Sequence, residues 1–123
     1  MNTALWIIQI VLAVAFLAAG AGKLAQPREK LLERMAWAED FSSTQVKLIG
    51  AVEVLGAIGL VLPALTGIAV WLTPLAAAGL AVTMLLAGVV HVRRGETQMV
   101  AVNVVLGLLA AVVAWQRFGP QAF

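Results

Sequence analysis

Four stretches of this 123-residue chain are each long and apolar enough to cross a lipid bilayer. Residues 4–22 are apolar except for Gln9, and residues 48–65 carry one charge, Glu53. Residues 67–90 hold only Thr73 and Thr83 as polar side chains, and residues 99–115 are interrupted by Asn103 alone. Each approaches the ~20 residues that span roughly 30 Å of hydrocarbon. Backbone N–H and C=O groups find no water in lipid, so a spanning segment must pair them internally, as a helix does. The expected spans are 4–22, 46–65, 70–92 and 98–116. In the third, Thr73 is expected as an N-cap with Pro74 as first helical residue, which leaves residues 68–72 as a turn.

Composition excludes the alternatives. Hydrophobic residues make up 63% and charged residues 11% of the chain, whereas soluble domains are about half apolar and about a quarter charged. So short a chain could not bury that much apolar surface in water. A soluble enzyme and a nucleic-acid partner are therefore excluded, although the pI is near 9.7; no basic run exceeds Arg93-Arg94. With no cysteine and one histidine, no haem, Fe–S cluster or metal site is expected. The first segment lacks the positive residues that open a secretory signal, so it is expected to remain as a span. The reading is one domain, 1–123, all-α: a four-transmembrane-helix bundle.

Charge sets the expected orientation. Lys23, Arg28, Lys30, Arg34, Lys47, Arg93 and Arg94 flank the first and third connections, against Arg117 alone on the other side. Basic residues concentrate in cytoplasmic loops, so both termini are expected outside a cell membrane, bacterial inner membrane being the natural setting. Trp6, Trp71 and Trp115 fall at the outer ends of spans, as an aromatic belt does. The first connection, residues 25–46, reads as a short amphipathic cytoplasmic helix. Pro27 starts it, Leu31, Met35 and Ala38 recur at helical spacing, and Trp37 is at headgroup depth. Arg28, Lys30, Arg34 and Trp37 are the candidate surface for a partner protein; the plainer reading is a connector lying on lipid. Ser42 and Gln45 have the spacing of a capping box.

Ionisable groups inside spans are costly and point to function. Lys23 and His91 sit at the expected cytoplasmic ends of the first and third spans. Glu53 lies six residues beyond Lys47, and Asn103 six beyond Thr97, each about 9 Å along a helix. The four groups thus share one half of the membrane, one from each helix, on stripes of small residues that suit close helix packing. Lys23 and Glu53 are expected within direct or one-water reach. Lys23, Glu53, His91 and Asn103 are expected to line one cavity, with Gly50, Gly56, Met84 and Gly107 in its walls. Each also has a structural reading: Lys23 as a snorkelling anchor, the Lys23–Glu53 pair as a packing device, His91 beside Arg93 and Arg94 as an interfacial polar residue, Asn103 as a helix–helix hydrogen bond. Glu53 and His91 can exchange protons, while Lys23 and Asn103 can hydrogen-bond a carbonyl or hydroxyl. That set suits a lipophilic small molecule with polar ends, such as a quinone headgroup, or a proton-coupled gate. No nucleophile–base arrangement exists, so no catalytic residue is assigned.

The run Phe16-Leu17-Ala18-Ala19-Gly20-Ala21-Gly22-Lys23-Leu24 resembles the first-helix signature of the DoxX-like family of membrane proteins. Ile49-Gly50-Ala51-Val52-Glu53-Val54-Leu55-Gly56, continuing through Gly59-Leu60-Val61-Leu62-Pro63, is similar to its second. Leu72-Thr73-Pro74-Leu75-Ala76-Ala77, leading to Met84, Ala87, His91 and Arg93-Arg94-Gly95-Glu96, follows the same pattern in order. The resemblance implies a four-helix bundle and an association with membrane redox systems, since the family is named for a subunit of a quinone-linked oxidase. Three functions follow as expectations: an accessory subunit holding a quinone-like lipid or a redox partner protein; a small proton-coupled exporter with Glu53 as coupling carboxylate; a scaffold without ligand chemistry. Small multidrug transporters share the length and the lone glutamate, but theirs belongs in the first helix. A homo-oligomer is expected to be able to form through small-residue surface such as Ala76 to Gly79 and Ala81.

Overall fold

In the computed structural model, residues 2–27, 29–30, 32, 35, 37–38 and 41–123 are described. They form four long helices: α1 (Asn2–Ala25), α2 (Ser43–Thr66), α3 (Leu72–Arg93) and α4 (Thr97–Phe118). At 22 or 24 residues each runs about 33–36 Å, and all four are apolar enough to cross a membrane. These helices coincide with the expected segments, running one to three residues past them at most ends.

One stripe of each helix turns inward. The buried positions of α1 are Leu5, Gln9, Leu12, Phe16, Gly20 and Lys23, and those of α2 are Val46, Gly50, Glu53, Ala57 and Leu60. Steps of three and four keep such residues on one helical face. Leu12, Phe16, Leu60, Leu80, Met84 and Val113 belong to the core they build. α1 packs mainly along α2, and α3 along α4; α2 joins the two pairs through α3. The opposite faces expose Val14, Leu55, Leu85, Leu86 and Leu108. Such a continuous apolar exterior fits hydrocarbon and would be an aggregation liability in water.

Two local devices set the ends of α2. Ser42 Oγ accepts from Gln45 N–H at 3.1 Å, and Gln45 Oε1 accepts from Ser42 N–H at 2.9 Å, completing the capping box. At the other end Gly67 adopts a left-handed φ of 71° and its N–H reaches the Pro63 carbonyl, a helix stop that glycine makes without steric cost. Pro63 itself has no N–H for the carbonyl of Gly59 four residues back. The Thr73 hydroxyl fills that vacancy, donating to Gly59 O at 2.9 Å from α3. This corrects the expected role of Thr73: α3 begins at Leu72 after Trp71, with no side-chain cap. Its first N–H groups need no intrahelical partner, which is why Pro74 is tolerated there.

The described residues between Ala25 and Ser43 do not make up the expected amphipathic helix, and Arg28, Leu31 and Arg34 of it lie outside the described residues. Glu29 and Lys30 are exposed, Leu32 and Met35 are half-buried, and Trp37 and Ala38 form a short 3₁₀ turn. Ala38 and Val46 make a small second apolar cluster against which Trp37 and Phe41 pack.

Candidate functional site

α1 and α3 end, and α2 and α4 begin, at the same end of the bundle. Close helix contact starts the site. A Cβ on Gly50 would lie 2.8 Å from both the Gly20 carbonyl oxygen and the Lys23 Cβ. Because no side chain separates the backbones there, Lys23 and Glu53, one turn on, come within reach across the α1–α2 seam. Lys23 Nζ donates to Glu53 Oε1 at 2.6 Å, with both residues buried. The expected pair is therefore formed directly.

Trp37 ties this pair to α3. Its ring lies 5.7 Å from Lys23 Nζ, and its centroid is 6.3 Å from that of the His91 ring, edge to face. His91 Nδ1 is 2.9 Å from Glu96 Oε1 in the turn before α4, and Arg94 Nε donates to the same oxygen at 3.2 Å. Trp37, expected on a partner surface, is half-buried and packs against this site. Lys30 is exposed, and Arg28 and Arg34 lie outside the described residues.

Asn103 occupies the α3–α4 seam. Its Nδ2 donates to Met84 Sδ at 3.4 Å. Its Cβ is 3.9 Å from where a Cβ on Gly88 would stand, and Gly88 precedes His91 by one turn. Asn103 Oδ1 is buried and has no hydrogen-bond partner among the described residues. A thioether is a weak acceptor, so this amide is poorly satisfied on both sides.

The glycines expected as cavity walls serve another purpose. A Cβ on Gly56 would meet Leu80 Cγ at 2.7 Å, and one on Gly107 would meet Met84 Cβ at 3.2 Å. Gly50, Gly56 and Gly107 are points of close helix contact, and Met84 fills the space beside Gly107. The cleft at this end has a volume of about 90 Å³ and is lined by Lys23, Gln26, Pro27, Ala38, Val46 and Lys47. It reaches Lys23 from the α1–α2 connection; Glu53, His91 and Asn103 are not on its walls.

A second polar cluster, at the opposite end, was not anticipated as a unit. Gln9 Nε2 donates to the Leu60 carbonyl at 2.7 Å, and Arg117 Nε donates to Gln9 Oε1 at 2.8 Å. Arg117 Nη1 donates to Asn2 Oδ1 at 2.8 Å and to the Gln121 carbonyl at 2.9 Å. The signal was present in the sequence: Gln9 is the lone polar residue of its span, and Arg117 the lone basic residue of its side.

The sequence model of the DoxX-like family matches residues 7–113. No curated protein and no solved structure matches the chain.

Proposed function

The chain belongs to the DoxX-like family, and from that premise we propose that its Lys23 end holds the polar head of a lipophilic, quinone-like molecule, the protein acting as an accessory subunit of a membrane redox system. The observation that carries this reading is Asn103 Oδ1, a buried acceptor with no donor. Such a group is expensive in an apolar medium, and the hydroxyl of the reduced, quinol form of the head would relieve it, whereas the carbonyls of the oxidised form accept from Lys23. Lys23 adds donors, because an ammonium has three N–H groups and Glu53 takes one. Trp37, beside both Lys23 and His91, offers an aromatic face to a flat head. A quinone, when bound, would supply exchange of electrons and protons with a partner. The chain's own residues hold the head at Lys23 and Asn103 and exclude water with Trp37, while the Lys23–Glu53 pair stays intact.

The seven-to-one distribution of basic residues supports putting this end at the cytoplasmic face. The exporter reading is weaker, because Glu53 is already engaged by Lys23 at 2.6 Å and that pair would have to break in every cycle. The test is quinone content after extraction into native-lipid nanodiscs, measured by chromatography and mass spectrometry. Wild-type protein should carry quinone. Asn103→Val, kept only if its circular dichroism is unchanged, should retain about tenfold less, the ratio expected for one lost hydrogen bond in a desolvated site. No quinone in the wild type, or equal amounts in both, would refute the reading.

A further inference from the structure

The opposite end of the bundle carries a cation that no acidic side chain pairs among the described residues. Arg117 is 3% exposed. The acceptors of its Nε and Nη1 groups, Gln9 Oε1, Asn2 Oδ1 and Gln121 O, are all neutral. Its Nη2 is buried and has no partner among the described residues. The sequence explains the imbalance: Asp and Glu occur only at 29, 33, 39, 40, 53 and 96, and the described ones, Glu29, Glu53 and Glu96, are at or near the Lys23 end. The carboxyl end of α4 supplies roughly half a negative charge, which leaves the rest unbalanced. A buried guanidinium used only for packing would ordinarily have a carboxylate, because an unpaired charged donor costs more than a neutral one.

We propose that Arg117 is a binding site for a phosphate group at this face of the membrane, with the Phe123 ring as its movable cover. The ring lies 4.1 Å from Arg117 Cζ and is itself 44% exposed. It can swing outward without opening the core, whereas Trp6, 6.0 Å from Arg117 Cζ, remains as a wall. With Nε and Nη1 committed, the uncovered site offers the two N–H groups of Nη2, and phosphate oxygens accept such charge-assisted bonds well. Depth selects the ligand. Trp6, Trp71 and Trp115 lie at this end of the bundle, and tryptophan belts sit at headgroup level, where lipid phosphates are concentrated. The phosphate can come from a lipid headgroup or from solution.

The test uses the full chain in detergent, titrated with short-chain phosphatidylglycerol, short-chain phosphatidylcholine and inorganic phosphate. Thermal unfolding gives the affinity, since a ligand that binds only the folded state raises Tm, and native mass spectrometry counts bound molecules. Saturable binding of one molecule is expected. Response to the lipids alone assigns the headgroup as source, and response to inorganic phosphate as well assigns both. Arg117→Gln should bind at least about tenfold more weakly, as loss of the two charge-assisted hydrogen bonds from Nη2 implies. Phe123→Ala keeps the arginine and should bind more tightly. Absence of saturable binding by all three ligands, or equal affinity in Arg117→Gln, overturns the proposal. If Arg117→Gln does not fold, Phe123→Ala decides: unchanged or weaker affinity overturns it.

Discussion

Lys23 and Glu53 are unequal partners in their ion pair. Lys23 borders the cleft that leads out past Gln26 and Lys47, so a Lys23 left alone can swing its ammonium toward water, as long cationic side chains do. Glu53 has no such exit and its short side chain would remain among apolar neighbours. Lys23→Met is therefore expected to destabilise the fold by about 3 kcal/mol, the lower end for breaking a buried pair, and Glu53→Gln by clearly less. The double variant should resemble Glu53→Gln alone. Unfolding in bicelles across the four-member cycle measures this, and simple additivity would show that the pair contributes no coupling.

Between helices, the absence of a side chain matters as much as its presence. Gly50 stands where a Cβ would be 2.8 Å from the backbone oxygen of Gly20, while nothing lies within 4 Å of a Cβ on Gly79. Backbone cannot give way as a flexible side chain does. Gly50→Ala should thus cost about 1–3 kcal/mol through overpacking, whereas Gly79→Ala should be neutral or gain up to about 1 kcal/mol from helix propensity. Destabilisation of equal size at both positions, read by thermal unfolding, would contradict the seam. The α2–α3 contact offers a second check. Thr73→Val strands the Gly59 carbonyl that Pro63 cannot serve, at an expected cost of about 1–3 kcal/mol. Adding Pro63→Ala restores an N–H donor and should recover much of that loss; a further loss of stability instead would show that the Thr73 bond is not compensating for the proline.

At the scale of the whole molecule, four helices bring both chain ends to the Arg117 end of the bundle and the charged connections to the other. The excess of Lys and Arg around those connections leads to the expectation that both ends are external. A fluorescent reporter active only in the cytoplasm, fused after Phe123, should stay dark, and an enzymatic reporter active only outside should work. The reverse result would invert the bundle and move the Lys23 site to the outer face.

The four spans, their approximate limits and the capping box of Ser42 and Gln45 were legible in the sequence, because they depend on local apolarity and on contacts three residues apart. The meeting of Lys23 with Glu53 was legible too, since burial cost leaves a lone intramembrane carboxylate few choices. Only the tertiary structure decided what the glycines do. Close packing looks the same as a cavity wall in a sequence, and the distances at Gly50, Gly56 and Gly107 distinguish them. It also decided the roles of Thr73 and Trp37, each of which answers a partner on another element: the carbonyl that Pro63 leaves free, and the ring of His91. The Gln9–Arg117 link spans 108 positions. No local pattern encodes such a contact, because it exists only when α1 and α4 are brought side by side.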